Sequence, residues 1–334
     1  MPGLHWRRSV VDVEAVPKAE QTPLIETVGL TKQYRGQQSA VLALNELDLC
    51  IPSGQMYGLL GPDGAGKTTT LRILATVLDA SSGQVRVGGC DTRRQAEAVR
   101  RMIGYMPQNF GLYPDLSVLE NLDFFATVHG VRREKKHQQI ERMLGFTRLG
   151  PFAQRRADHL SGGMKKKLAL ACAMLHEPKV LLLDEPSTGV DPVSRRELWL
   201  MLAQVVQDGV TVLVSTPYMD EAERCHQVGV LYGGRLLTAG APTELQNALP
   251  FEIVEVKAKP RKLMRQVVSE SSLVLQWRTI GDRLRLCVQD APKAASALET
   301  TLLKVGAEIK VLRPGRRTME DVFVHLVQQQ RGQK

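Results

Sequence analysis

Hydrophobic and polar positions fall into two successive rhythms along this chain. Between about residues 25 and 248, short apolar runs of strand length alternate with stretches whose apolar positions recur at helical spacing. That alternation is the mark of a layered α/β unit. Met56–Leu60, Val180–Leu183 and Thr211–Ser215 are apolar almost without a break, as expected of strands covered on both faces. Between Asp91 and His159 charges multiply and 3.6-residue patterns lengthen, which predicts a helical subdomain, at about 91–165, inserted into the core.

A different order follows Pro250. FEIVEVKA reads as a strand and Pro260 to Ser271 as a helix. LVLQWR, the turn Gly281-Asp282 and RLRLCV read as a hairpin, followed by a helix over Ala294–Val305 and a strand in EIKVL. This β-α-β-β-α-β order predicts a split βαβ arrangement in a small C-terminal α+β domain over 249–334. A last helix is expected to begin after Thr318 as N-cap, with Glu320 and Asp321 in its first turn. Residues 1–24 hold two arginines but no apolar segment of signal-peptide length, and are expected to form a flexible leader.

Composition narrows the picture only a little. With 334 residues, 43% hydrophobic and 24% charged, the chain has the profile of a globular protein of about two domains. No stretch reaches the roughly 18 uncharged apolar residues of a spanning helix. Five scattered cysteines without a CxxC pair fit free thiols better than a disulfide framework or zinc site. A net charge of +9 suits anionic lipid, nucleic acid or a nucleotide alike. The basic runs at Arg132–Lys136 and Arg313–Arg317 lack interleaved aromatics, so no nucleic-acid partner is expected.

Chemistry enters at GPDGAGKTTT, Gly61 to Thr70, which fits G-x-x-x-x-G-K-[ST]. It follows the strand MYGLL and opens a helix with apolar positions at Leu71, Leu74, Val77 and Leu78, the context a phosphate-binding loop requires. Glycines let backbone N–H groups curl round phosphate oxygens at the positive end of the helix. Lys67 would neutralise β and γ oxygens, and the Thr68 hydroxyl would reach Mg²⁺. KVLLLDEPSTGVDP, Lys179 to Pro192, brings Asp184 to a strand end as a metal carboxylate, with Glu185 next to it as the group that polarises an attacking water. LSGGMKKKL, Leu160 to Leu168, starts a helix at Ser161 with bare glycine N–H groups, a second anion site.

In this order and spacing the motifs resemble those of an ATP-binding cassette, the ATPase subunit of an ABC transporter, over about residues 25–248. The resemblance implies a P-loop NTPase fold, a RecA-like core plus helical subdomain. It also implies ATP and Mg²⁺ as cofactors. By the same resemblance, Gly61, Pro62, Asp63, Gly64, Ala65, Gly66, Lys67, Thr68 and Thr69 cradle the phosphates, and Tyr34 stacks on adenine. Gln108 joins Mg²⁺ and the attacking water to the helical subdomain, and Thr68 and Asp184 complete the metal set. Phe110, Tyr113 and Leu116 are expected to face a membrane partner or, read from the residues alone, the local core. In such proteins two cassettes pair head to tail, so that Ser161, Gly162 and Gly163 of one close over ATP held by the other, with Asp191 in the loop between them. GPDGAGKTTT and YMPQNFGLYPDLSVLENL are similar to the first cassette of bacterial two-cassette multidrug-efflux ATPases. TMEDVFVHLV is similar to the tail of drug-export ATPases.

Two departures stand out. The family has a switch histidine after the strand corresponding to VLVST; here Pro217 occupies that place, with no side-chain donor and a fixed φ. His226, nine residues on, is a poor substitute. Met164 stands where glutamine is usual. The expectation is an ATP-hydrolysing subunit, slowed at Pro217, peripheral on the cytoplasmic face of the inner membrane. It would power efflux through a separate ABC-2-type permease beside a second cassette. A regulatory cassette with negligible hydrolysis is the alternative. A non-transport cassette acting on ribosome or DNA is a third reading, which the lack of a second cassette or coiled-coil insertion disfavours.

Overall fold

The computed structural model describes residues 23–35, 40–109 and 111–332. Most of the predicted leader and Phe110 therefore lie outside the described residues. The central sheet runs in the order Arg235–Gly240, Gln227–Tyr232, Met56–Leu60, Thr211–Thr216, Val180–Asp184, Ile103–Met106. All neighbours are parallel except the first pair. Alternate residues of each central strand serve opposite cores. Met56, Leu60, Leu181, Leu183, Val212 and Val214 face one layer, with Leu198, Trp199 and Leu202 of the helix Pro192–Gln207. Tyr57, Leu59, Val180, Leu182 and Leu213 face the other, with Leu71 and Leu74 of the helix Lys67–Leu74. Burial on both faces is why these strands read as continuous apolar runs. Each fully buried leucine contributes about 1.5–3 kcal/mol.

A four-stranded antiparallel sheet, ordered Ala40–Ile51, Ile25–Arg35, Ser82–Val87, Cys90–Asp91, covers the second layer. The helices Val118–Val128, Arg133–Thr147 and Gly162–Met174 pack round Leu122, Ile140, Met143 and Leu168. The charged segment from 91 onward is not wholly helical, because Ile103–Met106 is an edge strand of the central sheet. Its four residues are too few to stand out between a charged helix and a loop. Likewise the helix after the phosphate loop ends sooner than its apolar spacing predicts. Thr76 has φ 58°, Val77 is exposed, and the buried positions are Leu71, Ile73 and Leu74.

The C-terminal unit is an antiparallel sheet in the order Val274–Ile280, Arg283–Val288, Glu252–Lys259, Glu308–Gly315. Helices Arg261–Glu270 and Ala291–Lys304 bury Met264, Val267, Leu298 and Leu302 against it. Its connectivity is the expected split βαβ. The last helix, Met319–Gly332, starts where Thr318 and Asp321 exchange hydrogen bonds, and sends Met319 and Val322 into the core on the Leu198 face of the central sheet. No helix among the described residues is long and apolar enough to cross a membrane.

Candidate active site

Three strand ends converge at the carboxyl edge of the central sheet. The loop after Met56–Leu60 wraps back on itself because its glycines take conformations or approaches closed to other residues. Gly66 has φ 109°, and a Cβ on Gly61 would lie 2.4 Å from the carbonyl oxygen of Leu231. Gly61 N–H donates to the Thr216 carbonyl at 3.3 Å, tying the loop to the neighbouring strand end. Lys67 opens the helix and folds back, donating to the carbonyls of Gly61 (2.8 Å) and Pro62 (3.0 Å). Its ammonium also lies 3.3 Å from Glu185 Oε1, with both side chains almost wholly buried.

The strand Val180–Asp184 delivers Asp184 to this point. Its Oδ1 accepts from Thr68 Oγ1 at 3.1 Å and from Ser215 Oγ at 2.7 Å. Asp184 Oδ2 is buried and without a hydrogen-bond partner among the described residues. A buried carboxylate oxygen left open is costly unless something positive meets it. A carboxylate beside a hydroxyl is the oxygen-donor set a hard dication selects. Asp184 and Thr68 therefore fit Mg²⁺.

Glu185 sits at φ 47°, a left-handed conformation that costs a non-glycine residue on the order of 1 kcal/mol. Its N–H donates to the Ser215 carbonyl (3.2 Å) and hydroxyl (3.0 Å), which holds that conformation. Its carboxylate accepts from Gln108 Nε2 at 2.9 Å and Thr188 Oγ1 at 3.3 Å. Lys67, Thr68, Gln108, Asp184 and Glu185 thus form one connected cluster. Ser215 and Thr188 belong to it as well, although the sequence reading passed over both. A polar residue ending the apolar run VLVS was the one signal for Ser215.

Tyr34 is exposed, with its hydroxyl 3.3 Å from Thr69 Oγ1 and the Lys32 ammonium 5.3 Å from its ring centre. Ser161 caps the helix Gly162–Met174 by accepting from Met164 N–H at 3.3 Å. Met164 supplies that N–H from the backbone, so its side chain is free to pack in the helical subdomain. Among the described residues, no hydrogen bond links Ser161, Gly162 or Gly163 to the phosphate loop. Gly163 instead abuts the helix Pro192–Gln207, where a Cβ would fall 2.3 Å from Ser194 Oγ. Asp191 caps that helix through Val193 and Ser194 N–H, both at 3.0 Å, and the Ser194 bond in particular holds its carboxyl below the usual range.

Lys166 reaches from the same helix as Gly163 to the Gln108 carbonyl at 3.1 Å; burial pushes its pKa down, against the opposing pull of Asp184 and Glu185. Pro217 is a half-buried bend directly after Thr216. His226 is engaged at the other end of the sheet, where its Nδ1 accepts from Met56 N–H at 3.1 Å. It is far along the strand from the phosphate loop and provides no substitute donor. Tyr113 is exposed and packs edge-on to Phe124 at 4.6 Å, whereas Leu116 is half-buried.

Fold and site together define an ATP-binding cassette. Comparison with known proteins agrees: residues 44–188 match the family model described as ABC transporter. The probable multidrug ABC transporter ATP-binding protein YbhF of Escherichia coli is 49% identical over 243 residues, covering 72% of this chain. The chain spans 42% of that relative's length. The Nod factor export ATP-binding protein I of Paraburkholderia xenovorans is 35% identical over 305 residues, 90% of this chain and 96% of the relative. The daunorubicin resistance ATP-binding protein DrrA3 of Streptomyces coeruleorubidus is 33% identical over 302 residues, 89% and 94% of the two chains. Among solved structures, a dimeric ATP-binding cassette in a post-hydrolysis state with ADP and Pi superposes with TM-score 0.60 at 26% identity, covering 65% of this chain and 98% of that one. The chain belongs to the family of ABC transporter ATP-binding proteins.

Proposed function

We propose that this chain binds MgATP at Gly61–Thr69, hydrolyses it slowly, and powers efflux of drugs or related small molecules through an ABC-2-type permease on another polypeptide. The reading divides the chain into a cassette over 25–248 and a tail unit over 249–334. What carries it is the convergence of Lys67, Gln108 and Glu185 with Thr68 and Asp184, the two groups joined through Ser215. Lys67 offers its ammonium to the phosphates, exchanging carbonyls and Glu185 for γ-phosphate oxygens. Thr68, Asp184 and Gln108 would hold Mg²⁺, which would supply charge neutralisation at the phosphates. Glu185 orients and polarises the water, and its bond from Gln108 links that role to the helical subdomain. Tyr34 stacks on the adenine.

A single chain leaves the γ-phosphate side open, and a second cassette closes it with its own Ser161–Gly163 and Asp191. The permease docks in the cleft between core and helical subdomain. That cleft has a volume of about 760 Å³ and is lined by Tyr105, Phe125, Val128, His129 and His176. Tyr113 and Phe124 lie close by on the helical side. This assembly sits on the cytoplasmic face of the membrane.

Pro217 favours a second reading, in which the cassette binds ATP and closes on a competent partner while hydrolysing almost nothing. Turnover of Glu185→Gln in the permease-containing complex separates the two. A loss of tenfold or more, on the order of one transition-state hydrogen bond to a charged group, is expected of a working site. Unchanged turnover would leave the regulatory reading.

A further inference from the structure

Four residues beyond Pro217, on the short helix Met219–Ala222, the Glu221 side chain is wholly enclosed. A buried carboxylate costs several kcal/mol unless it is paired and its lone pairs are satisfied. Here Oε1 accepts from Ser187 Oγ at 2.5 Å, Arg195 Nε at 2.7 Å and Trp199 Nε1 at 3.3 Å, while Oε2 accepts from Thr216 Oγ1 at 2.5 Å. These donors come from two segments that flank the reaction site. Ser187 lies two residues after Glu185, in the loop leading to Asp191, and Arg195 and Trp199 lie on the helix that Asp191 caps. Thr216 is the last strand residue before Pro217. Its carbonyl accepts from Gly61 N–H, and its hydroxyl also accepts from Tyr218 N–H at 3.0 Å, so it spans the proline. Arg195 completes the clamp from outside, bonding Asp220 at 2.8 Å with its guanidinium 4.9 Å from the centre of the Tyr218 ring.

One carboxylate therefore joins the strand end at Thr216–Pro217 to the loop that carries Glu185. In a chain without a donor at 217, no side chain there can hold these two segments in register through the γ-phosphate. We propose that Glu221 is a positioning residue for hydrolysis, fixing the Glu185–Asp191 loop relative to the phosphate loop through Ser187, Arg195 and Thr216. The inference rests on the reading of Glu185 as the group that activates water. Glu221 is wholly enclosed by Ser187, Arg195, Trp199 and Thr216 and has no exposed surface to offer a nucleotide, so its effect falls on turnover through Glu185 and not on nucleotide affinity.

The test measures kcat, KM and MgATP affinity of the full chain with Glu221→Gln, Ser187→Ala, Glu185→Gln and the double variant Glu221→Gln/Glu185→Gln. Glu221→Gln keeps the shape and removes the charge that Arg195 pairs with. Its kcat is expected to fall about tenfold or more, the scale of a hydrogen bond to a charged group, with affinity within about threefold of wild type. Ser187→Ala removes one donor and leaves the ion pair, and should lower kcat about three- to tenfold in the same pattern. In the Glu185→Gln background, Glu221→Gln should add no further loss, because the two act as one unit. Unchanged kcat in both Glu221→Gln and Ser187→Ala would overturn the proposal. So would a full additional loss in the Glu185→Gln background, or equal losses of kcat and affinity. If Glu221→Gln does not fold, Ser187→Ala decides alone. Glu185→Gln at wild-type turnover sinks the reading of Glu185 and this inference with it. Reduced turnover in Glu185→Gln with none in Glu221→Gln and Ser187→Ala sinks this inference only.

Discussion

Replacing Pro217 with histidine perturbs the site at one bond's distance from the phosphate loop. The carbonyl of the preceding residue, Thr216, already accepts from Gly61 N–H at 3.3 Å. Proline has no N–H, so the substitution removes no existing backbone hydrogen bond. Releasing its φ costs the fold about 0.4–1 kcal/mol through the unfolded chain. Position 217 is half-buried and directly follows Thr216, so a larger side chain there is not enclosed by the core. A new hydrogen bond to a charged γ-phosphate is worth about 1.5–3 kcal/mol, or roughly 10–150-fold in rate if realised only in the transition state. Pro217→His should therefore raise kcat for phosphate release at least tenfold while KM stays within about threefold, with a small drop in melting temperature. Steady-state phosphate release in the permease-containing complex reads this directly, and the gain should vanish in a Glu185→Gln background. A histidine variant that folds, binds MgATP and turns over no faster would refute the assignment of position 217 to the γ-phosphate.

Other substitutions probe separate parts of the account. Gly163→Ala drives a Cβ to 2.3 Å from Ser194 Oγ, and urea titration should show a loss of about 1–3 kcal/mol from overpacking. Asp184→Asn removes the charge of the orphaned Oδ2, so the magnesium-dependent part of nucleotide affinity should disappear, leaving wild type and variant alike in EDTA. His129 stacks on His176 at 4.2 Å, and burial, then the neighbouring imidazole, pushes its pKa down from 6.5 to about 4. Below pH 6.5 the unfolded chain binds the proton more readily than the folded one, so this site costs stability progressively down to about pH 4. Thermal melts across that window should show a shallower pH slope for His129→Gln than for wild type.

The parts of the site that were legible in the sequence are those whose residues are neighbours along the chain. Gly61–Thr68 carries its own geometry, since φ at Gly66 and the close approach at Gly61 are local demands on glycine. Asp184 and Glu185 could be read because a fully apolar strand announces its end. Strand continuity was legible for the same reason: alternate residues of Val180–Asp184 face two different cores, and neither face tolerates a charge before Asp184. Contacts made between distant segments left little trace. Thr188 and Ser215 meet Glu185 and Asp184 only after the strands align, and Glu221 reads as one more acid in YMDEAE until Ser187, Arg195 and Thr216 enclose it. Helical spacing misled at Val77, where the backbone turn at Thr76 takes the residue off the buried face.

The most direct measurement is equilibrium binding of ATP to the purified full chain, with and without magnesium, for wild type and Lys67→Ala. Losing the buried ammonium should weaken affinity roughly 10–150-fold, the worth of a hydrogen bond between charged groups, and magnesium should tighten binding in the wild type. Equal affinity in wild type and Lys67→Ala, indifferent to magnesium, would contradict the assignment of Gly61–Thr69 as the nucleotide site.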